Sequence, residues 1–326
     1  MTKTPLVRIA FLPIYLLIFL SVYLISSCDF SHEKLRIGAH KWPGYEFMFL
    51  AKREGWLGDN GVQLIETTSA TETLSKLERR EIDGASLTLD EALRARSLGI
   101  PIQIVLVFDI SAGADAVYSR TRLKDLSELR GARIGVEKSA LGALMLHKLL
   151  EAAHLSEFDV VTVNSSVDQH IDDWKNQRFD TLITYEPIST ELERLHAYRL
   201  IDTRQFPELV FDVLAVRTNM LSGQKISELK SLIKSHFTAV HHFRNNPQDA
   251  AYRMGAHLGL SGSEVLDVFR GLKIPNETAN LSYLNNNGTV EKTSNVLVSI
   301  MYRDSTEQDP LDLKGFVNDE FIPVVD

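Results

Sequence analysis

The sequence predicts an α/β protein of two lobes, each a mainly parallel sheet flanked by helices, with a ligand cleft between them. Three observations lead there. From Leu35 to Phe108 short apolar strands alternate with helices over brief connections, the pattern of a parallel sheet covered on both faces. The alternation restarts at Ala132, after the polar stretch Asp125–Gly131, and continues to Val216. Beyond Arg217 the pattern is helical without strands, which returns the chain to cover the first lobe. Two α/β units joined by two crossings leave a cleft between them.

The elements follow in order. Leu35–Ala39 is a strand, and Trp42-Pro43-Gly44 turns into a helix over Tyr45–Glu54 that stops at Gly55. Val62–Glu66 is the second strand, and Thr67-Thr68-Ser69 caps a helix over Thr71–Arg80. Gly84–Leu87 is a strand, Asp90–Leu98 a helix ended by Gly99, and Pro101–Phe108 a long apolar strand. In the second unit Ala132–Val136 is a strand and Ser139 caps a helix over Ala140–Ala153. Strands Asp159–Asn164 and Thr181–Tyr185 alternate with helices Val167–Asn176 and Glu186–His196, and Arg199–Asp202 and Asp212–Val216 are strands. The helical return comprises Lys225–Asn245, Pro247–Leu258, Ser263–Gly271 and Val290–Arg303. Pro275–Gly288, rich in turn residues, reads as a polar loop, and its sequons at Asn276, Asn280 and Asn287 would matter only in a eukaryotic secreted protein.

The beginning of the chain reads as an export signal. Lys3 and Arg8 precede the apolar run Ile9–Ile25, and Ile25-Ser26-Ser27 leads into Cys28, the only cysteine. These four residues resemble the lipobox of bacterial lipoproteins. The resemblance implies a diacylglycerol thioether on Cys28, cleavage before it, and acylation (palmitate) of the new amino group. Two or more acyl chains hold a protein stably on a membrane. Asp29 resembles an inner-membrane retention signal, so the expected location is the periplasmic side of the bacterial inner membrane. An uncleaved helical anchor is the alternative, and it puts the same residues outside. The expected division is a signal peptide over 1–27, a tether over 28–34, a first lobe of 35–118 plus 216–326, and a second lobe of 119–215.

The 326-residue chain has 35 Lys and Arg against 43 Asp and Glu, a net charge of −8. That acidity argues against nucleic acid, which needs clustered basic side chains. With Cys28 lipidated there are no disulfides, so packing alone holds the core.

Five motifs stand in register: Ile37–Glu46 with Phe49–Gly55, Ile82–Thr88, Asp109–Asp115, Leu129–Val136 with Ala140–Gly142, and Thr184-Tyr-Glu-Pro187. In order and spacing they resemble the nitrate/sulfonate/taurine/thiamine-pyrimidine type of ABC-transporter substrate-binding proteins. The resemblance implies a periplasmic-binding-protein type 2 fold that closes on a small solute and presents it to an ABC permease. One branch of that family is enzymatic and uses a cysteine-rich motif. This chain has only Cys28, so that activity is not carried over.

Ligands of open parallel sheets sit beyond the carboxyl ends of the strands. There stand Trp42 and Gly44 after the first strand, Ser69 and Thr71 at the second helix, and Thr88 after the third strand. Ser139 opens the first helix of the second lobe, and Thr184 and Glu186 end a strand there. Trp42 stacks on a solute or packs the turn; Gly44 admits close backbone approach. The helix starts suit anionic oxygens, and Ser and Thr there serve equally as plain caps. Against an anion stand Asp109, Asp115, Glu137, Glu186 and Asp212 near the same rim. Carboxylates with an aromatic ring suit a cationic nitrogen, although Asp109, Asp115 and Asp212 also suit hydrogen bonds to the backbone of the crossing strands.

No nucleophile motif, phosphate loop or metal motif occurs, and His241 and His242 face different ways on one helix. The expectation is a monomeric binder of a small, nitrogen-containing solute, with no cofactor, metal or catalysis. A sensory lipoprotein signalling to a membrane receptor, or a binder of a sulfonate, nitrate or bicarbonate, is the alternative.

Overall fold

The computed structural model describes residues 33–59, 61–221, 223–301 and 311–324. The signal segment 1–27 and Cys28 lie outside the described residues. Lys34–Asp326 forms one compact unit, and among the described residues no helix is long and apolar enough to cross a membrane.

Two mixed sheets flanked by helices make the fold. The first has the order β11-β4-β10-β3-β1-β2. Its strands are β1 (Leu35–His40), β2 (Val62–Thr67), β3 (Gly84–Thr88), β4 (Ile102–Ser111), β10 (Phe211–Arg217) and β11 (Leu272–Lys273). β1 pairs in parallel with β2 and β3, whereas β10 runs antiparallel between β3 and β4. The second sheet, β7-β6-β8-β5-β9, comprises β5 (Asp115–Ser119), β6 (Arg133–Val136), β7 (Val161–Asn164), β8 (Thr181–Tyr185) and β9 (Tyr198–Asp202). Only β5 opposes its neighbours there.

Helices α1 (Glu46–Arg53), α2 (Ala70–Glu78) and α3 (Leu89–Ser97) follow the first strands, and α4 (Ala140–Ala153), α5 (His170–Lys175) and α6 (Ile188–Arg194) belong to the second unit. The return consists of α7 (Gln224–Asn245), α8 (Pro247–Leu258), α9 (Gly262–Phe269), α10 (Glu277–Leu284) and α11 (Thr289–Met301). α1 packs on α7, and α11 packs on α3, so the tail covers the first sheet. β4 is buried along almost its whole length, as a central strand with both faces covered must be. A separate cluster of Tyr118, Trp174, Phe179, Leu182 and Leu192 fills the second unit.

Local signals account for the best-matched helices. Ser139 accepts a hydrogen bond from the Gly142 N–H at 3.1 Å and starts α4. Pro247 opens α8, where a missing N–H costs nothing, and left-handed Gly259 closes it.

Three sequence expectations need correction. Pro275–Gly288 is not simply a loop but contains α10. The residues α10 buries are Glu277, Asn280 and Leu284, so a polar residue occupies the core-facing stripe and hides the helical period. Asn280 accepts from the Val107 N–H at 2.7 Å and donates to the Val107 carbonyl at 3.1 Å, which ties α10 to β4. The return is not strand-free either, because β11 pairs with β4; two residues are too short to show a period. The strand β5 begins at Asp115, inside the Asp109–Asp115 motif, set off from β4 by the positive-φ Gly113 and too short to stand out as a strand in the sequence.

Candidate functional site

The carboxyl end of β1 brings His40 and Trp42 to the space between the sheets, and that of β3 brings Thr88. Glu91 follows on the first turn of α3, where its carboxylate accepts from the Thr88 N–H at 3.0 Å. From the crossing strands come Asp109, Asp115 and Asp212, and the β4–β10 register sets Asp109 directly opposite Asp212. Tyr185 ends β8 and closes the space from the second sheet, edge-on to the Trp42 ring at 5.6 Å.

A narrow inner pocket is bounded by His40, Trp42, Thr88, Glu91, Asp115, Leu141, Tyr185 and Asp212. A second narrow compartment shares Asp115, Leu141 and Tyr185 with it and adds Glu137, Met145, His170 and Thr184. A wider cavity, bounded by Thr71, Arg94, Lys138 and Ser139, opens beside them. No Lys or Arg among the described residues lines either inner compartment.

The inner pocket is strongly acidic and poorly neutralised. The Trp42 indole N–H donates to Asp109 at 3.0 Å, and the Tyr45 hydroxyl donates to Asp212. Asp109 and Asp212 therefore take side-chain partners, not the backbone partners considered from the sequence. Asp109 Oδ1, Asp115 Oδ2, Asp212 Oδ2 and His40 Nδ1 are buried with no hydrogen-bond partner in the protein. Each such group costs about 1–3 kcal/mol unless something satisfies it. Burial pushes the Asp115 carboxyl up to about 7 and raises Glu91, with Asp90 adding repulsion. Asp109 and Asp212 rise through burial, and Asp212 further through the charge of Asp109, so this facing pair cannot both ionise readily. Burial lowers His40 to about 4 and keeps it neutral.

The residues singled out in the sequence fall into three places. Trp42 and Thr88 line the inner pocket; Ser139 and Thr184 line the second compartment, and Thr71 and Ser139 the outer cavity. Trp42 both packs its turn and faces the pocket, being 3% exposed. At Gly44 a Cβ would lie 1.7 Å from Asp109 Oδ2, so the close approach it permits is to that carboxylate. Ser69 caps α2 by accepting from the Glu72 N–H at 3.1 Å. Glu186 accepts from the Thr190 N–H at 3.1 Å and hydroxyl at 2.8 Å, and neither Ser69 nor Glu186 borders these spaces. His40, Glu91 and Tyr185 were not singled out. The first and last end strands and were visible as strand-end residues, but Glu91 reads as a plain helix-start acid. Among the described residues no cluster of His, Cys, Asp or Glu is arranged to hold a metal.

Comparison with known proteins follows from this geometry. A family model described as NMT1/THI5 like matches residues 42–250. The periplasmic aliphatic sulphonate binding protein SsuA from Escherichia coli has a similar structure, with a TM-score of 0.71 at 16% identity, covering 87% of this chain and 92% of that one. The alkanesulfonate-binding protein SsuA from Xanthomonas axonopodis pv. citri, bound to MOPS, gives 0.70 at 15%, covering 86% and 97%. The desulfurization enzyme DSZB gives 0.64 at 15%, covering 88% and 97%. At such identities the likeness shows the shared fold. Comparison with curated protein sequences gives no match.

Proposed function

The chain belongs to the NMT1/THI5-like family, and from that premise we propose that it is a solute-binding protein that closes on a small cationic, nitrogen-containing solute and hands it to an ABC permease. One observation carries the choice of solute. Asp115 and Asp212, each with a buried carboxylate oxygen that has no protein partner, line a pocket in whose wall no Lys or Arg stands among the described residues. A cation satisfies these oxygens, and the Trp42 and Tyr185 rings add favourable faces or edges for it. The two SsuA structures carry names of sulfonate binders; a sulfonate would require the pocket's carboxyls to stay protonated, whereas a cation draws out their ionised form. Calorimetry with a panel of amines, amidines, protonated heterocycles, sulfonates and nitrate tests the choice. Nitrogen cations are expected to bind and sulfonates are not; a sulfonate as the tightest ligand overturns it.

Binding rather than catalysis is favoured by the state of the one His–hydroxyl pair in the second compartment. His170 hydrogen-bonds Thr184 at 2.9 Å and the Ser165 carbonyl at 3.1 Å. Burial lowers its pKa to about 4, which makes it a weak proton acceptor at neutral pH. The lobe division proposed from the sequence is best drawn where the chain crosses between sheets, after β4 and before β10, and closure is assigned to those two segments.

We further propose lipid anchoring through Cys28 on the periplasmic face of the inner membrane, with the protein acting as a monomer. Cys28→Ser is expected to leave the precursor uncut and without label from a radioactive fatty acid. Equal labelling of variant and wild type would contradict the anchor.

A further inference from the structure

We infer that the solute is a linear diamine, with one ammonium group in the pocket beside Asp212 and Asp115 and the other beside Glu137 in the adjoining compartment. This rests on the reading of the site as a receptor for nitrogen cations and narrows it to a class.

The two compartments adjoin and share Asp115, Leu141 and Tyr185. Each has its own carboxylate: Asp212 borders only the first, Glu137 only the second. Glu137 is 8% exposed, and its side-chain partners are the neutral hydroxyls of Thr71, at 3.5 Å, and Ser139. A monocation in the first compartment leaves this buried carboxylate uncompensated, whereas a second ammonium at the far end neutralises it. An ammonium has three donors and no acceptor. In the first compartment the available acceptors are Asp115 Oδ2, Asp212 Oδ2 and His40 Nδ1, all buried and without a protein partner. Leu141, Met145 and Ile183 give the second compartment an apolar wall, suited to methylenes and unsuited to a polar linker. Two charged ends with an apolar span between them describe an alkane diamine.

The test is calorimetry on the full chain, purified in detergent at pH 8, with the series from 1,3-diaminopropane to 1,6-diaminohexane and the monoamine of each length. A diamine is expected to bind about tenfold or more tightly than its matching monoamine, with affinity peaking at one chain length. Glu137→Gln is expected to abolish that advantage, lowering diamine affinity to that of the matching monoamine. Equal affinity of matched pairs, or a steady rise with each methylene, overturns the diamine inference while leaving the amine reading intact. So does an equal loss for both classes in Glu137→Gln. Binding of neither class overturns the inference as well, and the broader cation panel then decides whether the amine reading falls with it. The chain-length series needs no variant, so a poorly folding Glu137→Gln does not block the test.

Discussion

Without solute, the protein is expected to lose stability as pH rises from about 6.5 to about 8. The cause is the acidic pocket. A carboxyl whose pKa is raised by folding binds its proton more tightly in the native state, so stability falls as pH rises between its unfolded and folded values. For Asp115 these are about 3.9 and about 7. Glu91, Asp109 and Asp212 shift in the same direction. Below pH 6.5 the effect is opposed by His40, His170 and His236, which burial keeps neutral, with pKa values lowered to about 4, 4 and 3. Their contribution grows as pH rises toward 6.5, then stops. Above that the carboxyls remain, joined by His257, whose pKa the Glu46 hydrogen bond raises and whose stabilisation is likewise lost as pH rises; each carboxyl still protonated at pH 6.5 that ionises by pH 8 costs up to about 2 kcal/mol. Ion-paired acids such as Asp83, Asp173 and Asp180, whose pKa values are lowered, act only below pH 4. Urea midpoints at pH 6.5 and 8 measure the loss, and Asp115→Asn is expected to reduce it. A bound cation reverses the sign, because it stabilises the ionised pocket and releases protons on binding. Stability that holds or rises between pH 6.5 and 8 would sink the account of an uncompensated acidic pocket.

Gly44→Ala is expected to be among the most damaging single-methyl additions in the chain. The new Cβ would lie 1.7 Å from Asp109 Oδ2, 2.6 Å from its Cγ and 3.0 Å from the Trp42 indole nitrogen. Asp109 has no room to retreat, since it is fully buried and faces Asp212 across the β4–β10 pair. Overpacking of this kind costs about 1–3 kcal/mol. Displacing the carboxylate from the Trp42 N–H orphans two buried groups and adds about 1–3 kcal/mol. Gly58→Ala is the control, because its Cβ meets nothing within 4 Å. Denaturant midpoints of the two variants should differ strongly. If Gly44→Ala falls within about 0.5 kcal/mol of wild type, as ordinary surface changes do, the tight contact of turn and carboxylate is not as described.

How much of this molecule is written locally can be seen element by element. The helix Ala140–Ala153, the strand Thr181–Tyr185 and the helix Pro247–Leu258 have the same limits in the sequence reading and the structure. A capping serine, a helix-opening proline and a closing glycine act within a few residues of themselves, and alternation of apolar segments needs no distant partner. The family resemblance rests on such local motifs, and so does the two-sheet architecture it implies. The pocket is different. Asp109 meets Asp212 only through strand register, Trp42 meets Asp109 only because Gly44 lets the turn sit against β4, and Tyr185 arrives from the other sheet. Glu186 stood beside Tyr185 in the sequence as the more chemical choice, yet its carboxylate turns to Thr190 while the ring faces the solute space. Which of two neighbours points inward on a strand end depends on pairing and closure across more than a hundred residues, and no local signal carries that. The same holds for α10, whose buried Asn280 has a purpose only once Val107 is beside it. Local chemistry sets where elements begin and end; long-range pairing selects which of their polar groups are stripped of water, and those groups make the site.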